Sequence, residues 1–444
     1  MKRFTLFVKI VFFILLILLV IFSPRTYSYQ FCLFLLIAYI FENILYFSFF
    51  REELVSFKSL FCLSFFFCNF IYPIFYYQEN PDIALFRFDF DESIISYATA
   101  VAFCAYNCYL LGVMSVDKKM KVKIKKDRNV SLVFVRKIFY LILILFCCYT
   151  FSGGFNYIED AYENDNFGST PFYIKVITTF LRYLMLIFLL YVFKMYKDKH
   201  ILLKKHVYLI LAICVLFLCA GNRGMPLGVI LVVLIFFNDY IRRIKFVELL
   251  LVGAIGVISL SFISYFRFDS SISLYDFGDL LESPFDVFLD LIINNRNLYT
   301  LVSYAEHNGY TYFSTQLGLL SFIPFAQSFV IELFDLDLYN TTSAAFSSYL
   351  TFGNVSGELG MGTNMVSDIY LSFGLIGTIV VFYLFGVFLQ YCKLNSNTNI
   401  YCLIAYCVMV SDSVFICRGS VFGSVKLMIW FSLFERFRRM KEYK

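Results

Sequence analysis

Apolar residues run in blocks along most of this chain, separated by short polar joints. The blocks cover residues 4–22, 31–50, 60–78, 94–116, 131–151, 172–193, 207–222, 225–240, 246–266, 366–392, 400–417 and 420–434. A helix of about 20 apolar residues crosses the hydrocarbon core of a bilayer with every backbone group bonded inside the segment. The pattern therefore predicts an all-α polytopic membrane protein with about 12 transmembrane helices. One long stretch departs from it. Residues 267–365 form a hydrophilic excursion in which 279–293 alternates carboxylates and apolar groups at a helical period, as an interfacial helix does. Within the same stretch, 313–334 is apolar but carries Gln316, Pro324, Gln327 and Glu332. It predicts an interfacial or re-entrant helix pair around Pro324 rather than a thirteenth span. Three regions follow: residues 1–266 with transmembrane helices 1–9, the large loop 267–365, and residues 366–444 with helices 10–12 and a basic tail.

Composition agrees with a lipid-embedded chain. Hydrophobic residues make up 60% of the 444 positions and charged residues 16%, too little charge to wet a soluble surface of this size. Most basic residues fall on one side of the predicted topology: Lys118 to Arg128, Lys194 to Lys205, Arg242 to Lys245, and the tail from Arg436 to Lys444. By the positive-inside rule both termini are cytoplasmic and 267–365 faces outward. The net charge of +5 is spread along these joints and does not point to nucleic acid. Lys2 and Arg3 precede an apolar run that lacks a small-residue cleavage site, so it is expected to remain as the first span. The 13 cysteines lie in or beside apolar blocks without metal-ligand spacing, which predicts free thiols, no metal and no cofactor.

The basic residues left on the outward side are Arg25, Arg87, Arg223, Arg267, Arg296 and Arg418, all arginine. Arginine keeps its charge and grips carboxylate or phosphate with two parallel bonds. A set near the membrane surface suits an anionic, lipid-linked substrate such as a diphosphate; snorkelling, or pairing with outward carboxylates, is the plainer role for any one of them. Arg223 stands in a tight turn, Gly221-Asn222-Arg223-Gly224, and Arg418-Gly419 repeats the arrangement between the last two apolar blocks. His307 is the outward histidine and a candidate general base; Glu358 in the glycine-rich segment, Asp269 and Asp276 are carboxylate alternatives. Glu42, Arg182 and Asp412 fall inside apolar blocks and should face other helices, a Glu42–Arg182 pair being compatible with their depth.

Four features in residues 205–380 carry a resemblance. They are the turn Gly221-Asn222-Arg223-Gly224-Met225, the loop motif Asn295-Arg296-Asn297-Leu298-Tyr299 running to Tyr304-Ala305-Glu306-His307-Asn308-Gly309-Tyr310, the segment Leu319-Leu320-Ser321-Phe322-Ile323-Pro324, and Gly360-Met361-Gly362-Thr363 leading into Asp368-Ile369-Tyr370-Leu371-Ser372-Phe373-Gly374. In order and placement they resemble the Wzy-type O-antigen polymerases, which join oligosaccharide repeat units in the bacterial inner membrane. The resemblance implies a metal-independent, GT-C-like glycosyltransferase with one large periplasmic loop. Its substrate would be undecaprenyl-diphosphate-linked oligosaccharide, and its partners the lipid bilayer and a chain-length regulator. Arg223, Arg296, Arg267 and Arg418 would hold the diphosphate, and His307 or Glu358 would deprotonate the acceptor hydroxyl. The rival readings are an O-antigen ligase, which differs in its acceptor, and a lipid-linked oligosaccharide flippase or 12-span transporter. A transporter would place its long connection inward between two six-span halves.

Overall fold

The computed structural model describes residues 2–78, 90–116, 130–157, 171–254, 256, 288–323, 325–353 and 362–441. Among them every regular element is a helix. In chain order these are α1 (Lys2–Ile21), α2 (Tyr29–Phe50), α3 (Phe57–Asn69), α4 (Tyr72–Phe75), α5 (Ile94–Ser115), α6 (Leu132–Phe151), α7 (Phe172–Lys199), α8 (Lys204–Cys219), α9 (Gly224–Tyr240), α10 (Leu289–Ile292), α11 (Asn294–Asn308), α12 (Ala326–Leu333), α13 (Ser343–Phe352), α14 (Met365–Asn395), α15 (Ile400–Asp412) and α16 (Val425–Lys441). Three 3-10 segments, Ser314–Phe322, Leu338–Thr341 and Ile416–Arg418, lie in the second half.

Helices α2, α5, α6, α7 and α14 are long and apolar enough to cross a bilayer, and the chain is a multi-pass membrane protein. Shorter apolar helices accompany them, α3, α9 and α15 among them. The block 60–78 is not one helix. Pro73 has no N–H to continue α3, which stops at Asn69, and the chain restarts as the short α4. The block 400–417 likewise ends its α-helix at Asp412 and finishes as a 3-10 turn.

The centre of the molecule is the α5–α14 pair. A Cβ added at Gly112 would come 2.1 Å from the Tyr383 carbonyl oxygen, and one at Gly386 would come 2.1 Å from that of Tyr109. Bare backbone at both positions lets the two helices touch, which is how helices associate where lipid removes the hydrophobic drive. Gly228 does the same between α9 and α15, 2.6 Å from the Ser411 carbonyl oxygen. Helices α1, α2 and α11 pack on α5, α11 and α15 pack on α14, and α7 packs between α6 and α9.

Charged side chains in apolar helices tie the bundle together, but with different partners from those expected. Arg182 on α7 pairs with Asp412 at the end of α15, not with Glu42. The reason is topological: α7 packs on α15, while α2 packs on α5. Asp412 also accepts the hydroxyls of Ser411 at 3.1 Å and Ser424 at 2.6 Å, so one carboxylate joins α7, α15 and the approach to α16. In the α2–α3 connection, Glu52 lies 2.5 Å from Lys58 Nζ and 3.5 Å from Lys393 Nζ at the far end of α14. Burial pushes its carboxyl up, but the two ammonium groups outweigh that and hold it below the ordinary carboxylate range.

Candidate functional site

Helix α11 opens with Asn294, Asn295, Arg296 and Asn297, all buried; Arg296 is only 1% exposed. Four polar side chains in succession are costly inside a protein unless they are bonded. Asn297 Nδ2 donates to Asn294 Oδ1 at 3.1 Å, Ser347 Oγ on α13 donates to Asn297 Oδ1 at 3.0 Å, and Tyr299 donates to Asn295 Oδ1 at 3.3 Å. The Arg296 guanidinium lies 6.0 Å from the centre of the Phe90 ring. Helix α11 is held here by α3, α5 and α14. Gly362, just before α14, has a φ of +67°, which a side chain would strain. A Cβ there would lie 3.7 Å from both the Arg418 carbonyl oxygen and Asn294 Oδ1. The first turn of α11 and the Arg418 turn therefore meet across this glycine.

Beside that junction is a cavity of 320 Å³. The loop contributes Gln316 and Ser343 to its wall, the start of α14 contributes Asp368, the α15–α16 connection contributes Arg418 and Ser420, and α16 contributes Lys426. The N-termini of α14 and α16 both lie at this end, and helix N-termini favour negative charge. Asn364 caps α14, accepting from the Val366 N–H at 2.9 Å while its amide donates to Asn69 Oδ1 at 3.0 Å. Asp368 is 1% exposed. Its Oδ1 accepts from Gln316 Nε2 at 2.9 Å; its Oδ2 has no hydrogen bond, with the Ser343 and Ser420 hydroxyls close by.

The opposite end of α11 is built differently. Glu306 accepts from the Tyr370 hydroxyl and lies 3.5 Å from Arg25, whose guanidinium covers the Tyr97 ring at 3.9 Å. Tyr97 and Tyr370 share a hydrogen bond of 2.6 Å. Burial, reinforced by the Glu306 charge, pushes the Tyr310 phenol up. Helix α14 kinks here at Gly374, φ +65°, where a Cβ would meet the Tyr310 ring at 2.6 Å. The kink frees the Leu371 carbonyl, which accepts from the Thr311 N–H at 2.9 Å. His307 is exposed, its Nδ1 2.8 Å from the Ser303 carbonyl oxygen of its own helix. It also lies near Asp91, whose carboxyl is held low mainly by the hydroxyl and N–H of Ser93 and slightly by His307.

Of the basic residues expected to act together, Arg418 lies in the turn whose backbone approaches Gly362, and Arg296 lies in the α11 turn whose Asn294 reaches the same glycine. Arg223 is half-buried and precedes α9, which packs on α15, the helix leading to Arg418. Gly221 beside it needs its φ of +89°, whereas a Cβ at Gly224 would meet nothing. Arg25 pairs with a carboxylate, the plainer of its two expected roles. His307 is separated from Arg296 by a helical rise of about 16 Å. Arg267, Glu358, Asp269, Asp276, Arg87, Pro324 and residues 279–287 lie outside the described residues. The segments flanking Pro324 form two short helical elements, with Phe325, Phe329 and Leu333 exposed.

Asp368, Gln316 and Lys426 are not singled out as site residues by sequence alone, because they belong to apolar blocks or to the segment read as interfacial. The one local signal is a carboxylate in the first turn of a long apolar helix, a costly position unless it is used.

A family model described as O-antigen polysaccharide polymerase Wzy matches residues 4–434. No curated protein and no solved structure matches the chain.

Proposed function

The chain belongs to the O-antigen polysaccharide polymerase Wzy family, and from that premise we propose that it joins undecaprenyl-diphosphate-linked oligosaccharide repeat units. The growing glycan leaves its carrier for the non-reducing end of a new lipid-linked repeat, building O-antigen or a related surface polysaccharide. The protein spans the inner membrane about 12 times, with both termini cytoplasmic and residues 267–365 facing the periplasm. The distribution of lysine and arginine supports that orientation. The exposed Phe325, Phe329 and Leu333 support a loop hairpin that rests in lipid. A regulator of chain length is the protein partner this reading implies.

The observation that carries the proposal is the cavity where Arg418 and Lys426 meet the N-termini of α14 and α16. In glycosyl transfer from a diphosphate, negative charge grows on the departing phosphate oxygen. Preorganised donors aimed at that charge lower the barrier, each by about 3–4 kcal/mol, and they require no metal. Arg418 grips the diphosphate, with Arg296 behind the junction and Arg223 and Arg267 completing the basic set. The test is elongation by purified protein in vesicles that contain lipid-linked repeat units, alongside the lipopolysaccharide ladder in cells. Arg418→Ala is expected to lower elongation by about 100-fold or more and to leave a single capped repeat in cells. A full-length ladder from a strain with normal levels of the Arg418→Ala protein overturns the proposal.

A further inference from the structure

The reaction also needs a group to take the proton of the attacking hydroxyl, and the carboxylates around α11 and the Arg418 turn differ in their freedom to do so. Asp412 is occupied by Arg182, Ser411 and Ser424. Glu306 is occupied by Arg25 and Tyr370. Asp368 differs from these two: one oxygen is held by Gln316, the other is buried without a hydrogen bond of ordinary geometry, with the Ser343 and Ser420 hydroxyls close by, and the residue lies in the wall of the Arg418 cavity. A buried polar oxygen with no partner costs about 1–3 kcal/mol. Such a group at the wall of a cavity calls for a ligand that donates to it.

We propose that this cavity receives the acceptor sugar hydroxyl and that Asp368 Oδ2 is the base that deprotonates it. The inference rests on the polymerase reading and adds to it the acceptor's place. The hydroxyl oxygen forms its bond to the anomeric carbon of the donor glycan as the bond from that carbon to the diphosphate oxygen breaks. The electron pair leaves with the diphosphate towards Arg418 and Lys426, and the hydroxyl proton passes to Asp368 Oδ2. Gln316 keeps the carboxylate turned by binding Oδ1 at 2.9 Å, and its amide is held in turn against Ser372 Oγ at 2.9 Å. Ser343 and Ser420, which line the cavity close to Asp368, supply hydroxyls for the same sugar. At 320 Å³ the cavity is near the lower end of ligand-site volumes, about 300–1,000 Å³, so it admits the reacting end of a substrate rather than a whole glycan.

The test is steady-state elongation by purified protein in vesicles, with lipid-linked repeat units as the probe. Asp368→Asn preserves shape and is expected to lower kcat by about 100-fold or more with KM within about threefold. Asp368→Glu, which restores a carboxylate, is expected to recover part of that loss. Asp368→Asn activity within about threefold of wild type overturns the assignment, as does a Glu variant no better than the Asn variant. Should Asp368→Asn fail to accumulate in membranes, Gln316→Ala is read instead. It leaves the carboxylate in place but unanchored and should lower kcat about tenfold with KM unchanged; an unchanged kcat overturns the assignment. Absence of elongation by the wild-type protein under these conditions sinks the polymerase reading itself, a failure distinct from that of Asp368.

Discussion

The two ends of α11 have similar ingredients and opposite constructions. Each has an arginine, aromatic rings and a carboxylate nearby. At the C-terminal end the charges satisfy one another: Arg25 meets Glu306, Glu306 meets Tyr370, and His307 turns to its own backbone in solvent. At the N-terminal end Arg296 is buried in a bonded asparagine cluster, and across Gly362 the Arg418 turn borders a cavity with an unbonded carboxylate oxygen. The first arrangement uses charge to clamp the loop onto α5 and α14. The second places a carboxylate and an arginine turn in the wall of a cavity. An ionisable residue near the membrane surface is therefore informative only once its partners are known.

The sharpest test of that contrast pairs Arg418→Ala, expected to abolish the ladder, with the changes that follow. Next in size is Arg296→Ala. Truncating so large a buried side chain opens a cavity at a cost of about 2–5 kcal/mol, so the protein should fall in membrane abundance as well as activity. Normal abundance and a normal ladder would show that the asparagine cluster stands without it. Gly374→Ala probes the clamped end. A positive φ in a residue with a side chain costs about 1–3 kcal/mol, and the methyl would also collide with Tyr310. A lowered melting temperature in detergent is expected. In a Tyr310→Ala background the collision disappears but the φ strain stays, so part of the loss should persist. The smallest effect belongs to His307→Ala, for which elongation should stay within about threefold of wild type. A drop as large as that of Arg418→Ala would return the chemistry to the C-terminal end of α11 and reverse the comparison.

Much of the fold is legible in the sequence. The helical class and the membrane environment follow from apolar blocks of bilayer length, since solvent exclusion acts on segments and needs no knowledge of what they touch. The arginine turns could be read because glycine beside arginine marks a local reversal, and Gly221 does adopt the left-handed φ such a reversal uses. Apolar blocks do not show where helices end: Pro73 divides the block 60–78, and α15 stops at Asp412 within the block 400–417.

Partnership lay beyond reach of the sequence. Arg182 and Asp412 are 230 positions apart, and Gln316 and Asp368 are 52 apart. Only the crossings of α7 with α15, and of the loop with α14, make them neighbours. Hydropathy and charge are properties that a chain carries residue by residue, so they decided the class of this protein, its solvent and its candidate charges. Which of those charges is spent on a neighbour and which is left open to a substrate depends on distances across the fold, and those were settled only when glycines such as Gly112, Gly362 and Gly386 let separate segments close to contact.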